Sequence, residues 1–231
     1  MTQSFSAVFF DMDGTFVNTE PQWLLAEREL MAKFGHSWTV DDQRHCLGGP
    51  LTKVGKYMWE LAGHKESPEF FHHELVRRTI AHFESGIEFM PGAFELLLEL
   101  KSQNVLVGLV TASPAPLLNA TLASLDKQYF DVTISSADVT NVKPHPEAYL
   151  LAAQRIGVDI LDSLILEDSL TGISAGVASG AAVLAIPHIV EVQQTGRVRV
   201  IKTLHGITVA SLNDLYIPGT SMEHNSLEAG A

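Results

Sequence analysis

Four short polar clusters in this chain could do chemistry; three directly follow an apolar run, and the fourth, at Lys143, comes after the strand-like segment near Ile134. In Asp11-Met12-Asp13-Gly14-Thr15, two acids follow Ala7-Val8-Phe9-Phe10, a run with the length and character of a buried strand in a parallel sheet. Acids at the carboxyl end of such a strand stand where open α/β sheets put their ligands. Crowded into a partly dry pocket they repel, so a cation must relieve them or one must keep its proton. An ionised Asp can attack as a nucleophile, a protonated Asp two positions on can donate to a leaving group, and hard carboxylate oxygens suit Mg²⁺. The plainer alternative is a polar turn in which Gly14 supplies the bend.

The second cluster, Thr111-Ala112-Ser113, ends the run from Val105 to Val110. A hydroxyl and free backbone N–H groups at that place could hold an anion, and Ser113 would serve equally well as the cap of a helix opening at Pro114. Lys143 is followed by Pro144 and Pro146, which restrain a residue type that is otherwise an ordinary solvated cation. Glu167-Asp168-Ser169 ends the run from Leu164 to Leu166; helix capping accounts for Asp168 or Ser169 but leaves Glu167 unexplained. Together the four strand ends deliver two acids, a hydroxyl, a lysine and two further acids. That inventory can hold a divalent cation and a phosphate at once.

The elements that must position these clusters alternate. After the first strand the pattern turns helical for about seventy residues. Thr19 and Gln22 are spaced for a capping box, Pro21 lies in the first turn, and Trp23, Ala26, Leu30 and Phe34 recur at helical spacing before Gly35. A short helix over 41–47 breaks at Gly48-Gly49-Pro50, residues 51–61 resume with Val54, Met58 and Leu61 on one face, and Ser67-Pro68 opens another helix. From Met90 onward helices and strands alternate: helix to about Gln103, strand 105–110, helix 114–125, strand 132–134, helix 146–156, strand 164–166, helix 171–179 and strand 182–186. That rhythm implies an α/β fold, a parallel sheet with crossover helices on both faces, which the first strand joins across the helical insertion. The expected division is an α/β core domain over 1–17 and 88–231 and an all-helical domain over 18–87.

A chain of 231 residues with 46% hydrophobic and 18% charged residues can bury a substantial core. Its net charge of −12 argues against nucleic acid or an anionic membrane as the main partner, and obliges an anionic substrate to find a cation and a local Lys or Arg. The single Cys46 cannot form an internal disulfide, and no signal-peptide pattern opens the chain, so a cytoplasmic setting is expected. The apolar stretch 173–190 carries Ser174, Gly176, Ser179, Gly180 and Pro187 and reads as a helix followed by a strand, not a membrane span. The small, polar tail over 218–231 is expected to fray. His64, His72, His73 and His82 do not fall on one face as a ligand set would, and Trp23, Trp38 and Trp59 fit packing within the helical insertion.

In order and in content the four clusters resemble the motifs of the haloacid dehalogenase superfamily of phosphotransferases. Asp11-Met12-Asp13-Gly14-Thr15 is similar to its first motif, Thr111 in Thr-Ala-Ser to its second, Lys143 in Lys-Pro-His-Pro-Glu to its third, and Glu167-Asp168-Ser169 with Gly172 to its fourth. The likeness runs from about Ser4 to Pro187, and the helical insertion resembles the mobile cap of phosphoglycolate phosphatase-like and β-phosphoglucomutase-like members. Asn18 stands where many relatives have Asp, a nearly isosteric change.

The resemblance implies a Rossmann-like core in which Asp11 attacks phosphorus and Asp13 acts as general acid and then base. It implies Mg²⁺ held by the Asp11 carboxylate, the Asp13 backbone carbonyl and Asp168, with Glu167 nearby or linked through water. Thr111, the Ala112 N–H and Lys143 would hold the phosphoryl oxygens. Gly48-Gly49-Pro50 resembles a loop that closes over substrate, flanked by Arg44, Lys53 and Lys56, each of which could instead be a solvated helix charge. Glu20 could meet a substrate hydroxyl or cap the first helix. The expected partner is a small phosphorylated metabolite, of the sugar or polyol phosphate class, acted on by a monomer or weak dimer. An intramolecular phosphomutase is the alternative; mutase-like relatives commonly carry a His in the first cap helix, and residues 21–35 contain none. A dehalogenase would leave Asp13 and the Glu167-Asp168 pair without a task, and a non-catalytic role is disfavoured because every catalytic position is filled.

Overall fold

The computed structural model describes residues 5–46, 51–83, 86–125, 129–187 and 192–218. β1 is Ala7–Phe10, and all four of its residues are buried. Their side chains divide between two layers: Val8 and Phe10 enter one apolar cluster, Ala7 and Phe9 the other. A strand covered on both faces needs apolar residues at every position, which is why it reads as a continuous run rather than an alternation. β1 pairs in parallel with β4 (Leu106–Val110) on one side and β6 (Ser163–Glu167) on the other. With β5 (Val132–Ile134), β7 (Ala182–Ala185) and β8 (Val198–Val200) they form a six-stranded parallel sheet in the order β5-β4-β1-β6-β7-β8.

Crossover helices cover both faces. α5 (Ala93–Ser102), α6 (Ala115–Ala123) and α9 (Val209–Leu215) pack on the Val8 and Phe10 side through Leu96, Leu97, Leu100, Leu118 and Leu212. α7 (Glu147–Ile156) and α8 (Leu170–Ser179) pack on the Ala7 and Phe9 side through Tyr149, Ala152, Ala153, Ile173 and Ala175. The expected α/β architecture is present. β1, β5 and the helix Leu51–Leu61 have the expected ends, and most of the other shared strands and helices shift by one or two residues, within the usual uncertainty of element termini.

Between the first strand and the alternating region lie α1 (Glu20–Ala32), α2 (Val40–Cys46), α3 (Leu51–Leu61) and α4 (Pro68–Phe83). These helices bury Leu30, Met31, Met58, Phe71 and Leu75 in a core of their own, with Trp23, Trp38 and Trp59 packed in or against it. A second contact, Val76 and Phe83 against Leu117 of α6, joins the insertion to the sheet-bearing part. The insertion is bracketed by a two-residue antiparallel pair, β2 (Val17–Asn18) with β3 (Glu88–Phe89).

β2, β3, β8 and α9 carry no sequence expectation. The three strands are only two or three residues long, too short to show a period. The capping box expected at Thr19 and Gln22 does not form: Thr19 precedes α1 with a helical backbone (φ −92°, ψ −12°) instead of the extended one usual for a cap, and its hydroxyl donates to Asp13. Among the described residues no helix is long and apolar enough to cross a membrane, and the stretch from Ile173 divides into α8 and β7. The Gly48-Gly49-Pro50 turn and the tail beyond Pro218 lie outside the described residues.

Candidate active site

The parallel topology puts the carboxyl ends of β4, β1 and β6 side by side. Thr111, Asp11 and Asp168 therefore leave the sheet at one edge, and Lys143 reaches the same edge from the loop before α7. Lys143 is buried, not a solvated cation: its side chain is 2% exposed. Its Nζ donates to Asp11 Oδ1 at 2.6 Å, Glu167 Oε1 at 2.7 Å, the Val110 carbonyl at 2.9 Å and Tyr149 Oη at 2.9 Å. Burial lowers its pKa, but the charges of Asp11 and Glu167 outweigh that and hold it above the ordinary lysine value.

The acids respond in the opposite sense. Burial first, then the charge of Glu167, raise the Asp11 carboxyl well above the usual range in spite of Lys143. Asp168 is pushed up to about 7 by burial and by Glu167, against the pull of Lys143 and a 3.3 Å hydrogen bond from Thr15 Oγ1. One lysine does not offset three acids in so small a volume. One carboxylate oxygen from each of Asp11, Glu167 and Asp168 lies within 4.8 Å of the others.

Glu167 differs from its neighbours in having no free oxygen. Oε1 accepts from Lys143 and, at 2.8 Å, from Tyr149 Oη; Oε2 accepts from the Ser169 N–H at 3.3 Å and its hydroxyl at 3.1 Å. The Gly172 backbone approaches so closely that a Cβ there would overlap the Glu167 carboxylate. Gly14 is constrained twice: its φ of +84° favours glycine, and a Cβ would collide with Asp168 Oδ2. Ser169 caps α8 by accepting from the Gly172 N–H at 3.0 Å while its hydroxyl also donates to Glu167, so a capping role does not keep it from the acid cluster.

Asp13 sits in a cradle of three hydroxyls. Thr19 Oγ1 donates to Oδ1 at 2.9 Å, while Thr111 Oγ1 at 3.0 Å and Ser113 Oγ at 2.8 Å donate to Oδ2. Ser113 is therefore not the cap of α6, whose start at Pro114 has no side-chain cap. Its N–H donates to Thr111 Oγ1 at 2.9 Å, which orders the Thr111-Ala112-Ser113 turn. Tyr149 and Thr19 were not legible as site residues. The available signal for Tyr149 is that a phenol in the first turn of α7, six positions after Lys143, must lie near the strand ends.

A cavity of about 470 Å³ opens beside this edge, lined by Gly14, Thr15, Asn18, Glu20, Met90, Pro91, Ile186, Lys202, Thr203 and Leu204. Glu20 and Asn18 reach it. Arg44 and Lys53 are not among its lining residues; Arg44 is exposed and pairs with Asp41 at 3.3 Å, and Lys53 is exposed on α3. Gly48 and Gly49 lie outside the described residues.

With this geometry in view, the comparisons are consistent. Residues 8–186 match the family model of the haloacid dehalogenase-like hydrolases. The chain is 33% identical over 186 residues to hexitol phosphatase B of Escherichia coli (strain K12), covering 78% of this chain and 83% of that protein. It is 33% identical over 175 residues to a phosphorylated carbohydrates phosphatase of Thermotoga maritima, covering 75% and 81%. In fold it is similar to CbbY from Rhodobacter sphaeroides solved in complex with phosphate, with a TM-score of 0.78, 24% identity, and coverage of 90% of this chain and 99% of that one. The chain belongs to the haloacid dehalogenase-like hydrolase family. Within that family its place is among the phosphoric monoester hydrolases.

Proposed function

We propose that this chain hydrolyses a small sugar or polyol phosphate through a covalent phosphoryl group on Asp11. The observation that supports this most directly is the 2.6 Å contact between Lys143 Nζ and Asp11 Oδ1 at the edge that also carries Asp13, Thr111 and Asp168. It pairs a nucleophilic carboxylate with a cation able to take phosphoryl oxygens.

In the first step an Asp11 oxygen bonds to phosphorus as the bond to the substrate alkoxide breaks, and Asp13 gives that alkoxide its proton. In the second, Asp13 takes a proton from water, the water oxygen bonds to phosphorus, and the bond to Asp11 breaks, returning both carboxyls to their starting states. The hydroxyl cradle suits both duties of Asp13, since Ser113 and Thr111 can donate to the carboxylate or accept from the acid. Thr111, the Ala112 N–H and Lys143 supply donors to the transferred group, where charge stabilisation matters most.

The acids present fit Mg²⁺: they are hard oxygen donors, crowded, and under-neutralised by one lysine. Asp11, the Asp13 carbonyl and Asp168 would hold it, with Glu167 acting through water because both its oxygens are engaged. A bound cation would neutralise the acids and polarise the phosphoryl oxygens.

The cavity beside Asp168 offers Asn18, Glu20, Lys202 and Thr203 to the alcohol portion. One acid, one base and two neutral polar groups suit several hydroxyls better than a second strong anion, in line with the hexitol and carbohydrate phosphatase relatives. The insertion would act as a cap over that portion. The test is to incubate the chain with Mg²⁺ and a panel of hexitol and sugar phosphates, measuring free phosphate and any isomer. Phosphate release from panel members, lost on chelation, is expected. Isomer without phosphate would make it a mutase, and turnover indifferent to chelation would remove the metal from the scheme.

A further inference from the structure

We infer that Tyr149 is a positioning residue for Lys143: its phenol keeps Glu167 hydrogen-bonded while the lysine turns to the incoming phosphoryl oxygens. The inference rests on the phosphatase reading above and concerns how that site accepts its substrate.

Four acceptors surround Lys143 Nζ at 2.6 to 2.9 Å: Asp11 Oδ1, Glu167 Oε1, the Val110 carbonyl and Tyr149 Oη. An ammonium has three N–H donors, so its protons are already shared before a phosphoryl oxygen asks for one. Whichever acceptor is released must not be left bare, because an unpaired carboxylate oxygen in a buried site is far costlier than an unpaired neutral one. Glu167 is the acceptor at greatest risk: it is fully buried, and the donors to its other oxygen come from Ser169 and cannot serve Oε1.

Tyr149 removes that risk. Its hydroxyl donates to the same Oε1 at 2.8 Å, so this oxygen keeps a hydrogen bond when Lys143 turns away. The phenol oxygen is itself a neutral acceptor that the lysine can leave at low cost. The ammonium also stands 4.7 Å from the centroid of the Tyr149 ring, which holds it by a cation–π contact without fixing the direction of its N–H bonds. The helix that carries Tyr149 is anchored independently by Ala148, Ala152 and Ala153.

The decisive variant is Tyr149→Phe, which keeps the ring and its packing and deletes one oxygen. Inorganic phosphate binding would be measured calorimetrically with Mg²⁺ present, alongside kinetics on an aryl phosphate and a hexitol phosphate and thermal melting. Phosphate affinity and kcat/KM are expected to fall about tenfold, by the same factor for both substrates, with melting little changed. In a Glu167→Gln background, where the buried group carries no charge, adding Tyr149→Phe should change phosphate affinity no more than about twofold.

Unaltered phosphate affinity and kinetics in Tyr149→Phe would overturn the inference. So would a loss confined to one substrate, or lowered melting with normal kinetics, or the full tenfold loss persisting beside Glu167→Gln. A wild-type chain that neither binds phosphate nor hydrolyses any phosphomonoester would instead overturn the phosphatase reading.

Discussion

Two buried acid clusters in this molecule have opposite characters. In the helical insertion, Asp42 accepts from the Thr39 N–H at 2.8 Å, the Thr39 hydroxyl at 2.7 Å, the Tyr57 hydroxyl at 2.6 Å and His36 Nε2 at 3.0 Å. Burial would raise its pKa, but those hydrogen bonds more than offset it and hold the carboxyl well below the usual range. At the sheet edge, Asp11 and Asp168 face other acids, and their carboxyls move up. Asp42, with donors on both oxygens and a buried place within the insertion, serves as a structural brace there. Carboxylates crowded together and short of positive charge are poised for a cation and a reacting group.

The comparison is sharpest at Asp11. Asp11→Asn is expected to lower aryl phosphate turnover by at least about a thousandfold while leaving stability equal or higher, since it removes a charge from a crowded site. Residual activity near wild type would place the nucleophile elsewhere. Asp42→Ala should do the reverse: a loss of about 2–3 kcal/mol in urea denaturation with turnover of a small aryl phosphate close to wild type. A large kinetic effect with little change in stability would erase the distinction.

The third effect is pH-dependent. Asp168 has a folded pKa of about 7 against 3.8 for the free group, so the native state binds more protons than the unfolded chain between those values. Metal-free protein should therefore lose stability as pH rises through that window, then level off, and saturating Mg²⁺ should flatten the slope. Melting curves recorded with and without the metal that run parallel would count against cation binding by these acids.

The smallest effect concerns Glu27 on α1, where burial, then the charges of Glu20 and Asp42, push the carboxyl up to about 7 against the pull of the Trp38 indole. By the same sign the insertion loses stability as pH rises from 4.5 to about 7. Glu27→Gln should abolish that slope in hydrogen exchange of the α1 to α3 amides, and an unchanged slope would assign it to another group.

Part of this strand-end cluster is legible along the chain because buried parallel strands read as continuous apolar runs, so the polar residue that ends each run marks the sheet edge. Asp11, Thr111 and Asp168 each end such a run. Lys143 was harder, since nothing local distinguishes a buried lysine from a solvated one beyond its two prolines. Ser113 and Thr19 carried plausible local duties as helix caps, and both hydroxyls instead serve Asp13. Tyr149 carries no sequence expectation, since nothing beside it along the chain marks its hydroxyl as reaching Lys143 and Glu167. Arg44 and Lys53 are exposed and are not among the residues that line the cavity.

By itself the order of residues determined the alternation of strand and helix, the insertion after the first strand and the types of group at each strand end. Those follow from periodicity and local conformational preference, which act over a few positions. Only the tertiary structure decided that Asp11 and Asp42, the same side chain, should carry opposite pKa shifts. The reason is physical: electrostatic and hydrogen-bond energies depend on distance in space, and Lys143, Tyr149 and Glu167 come within 3 Å of one another across as many as 24 positions of sequence.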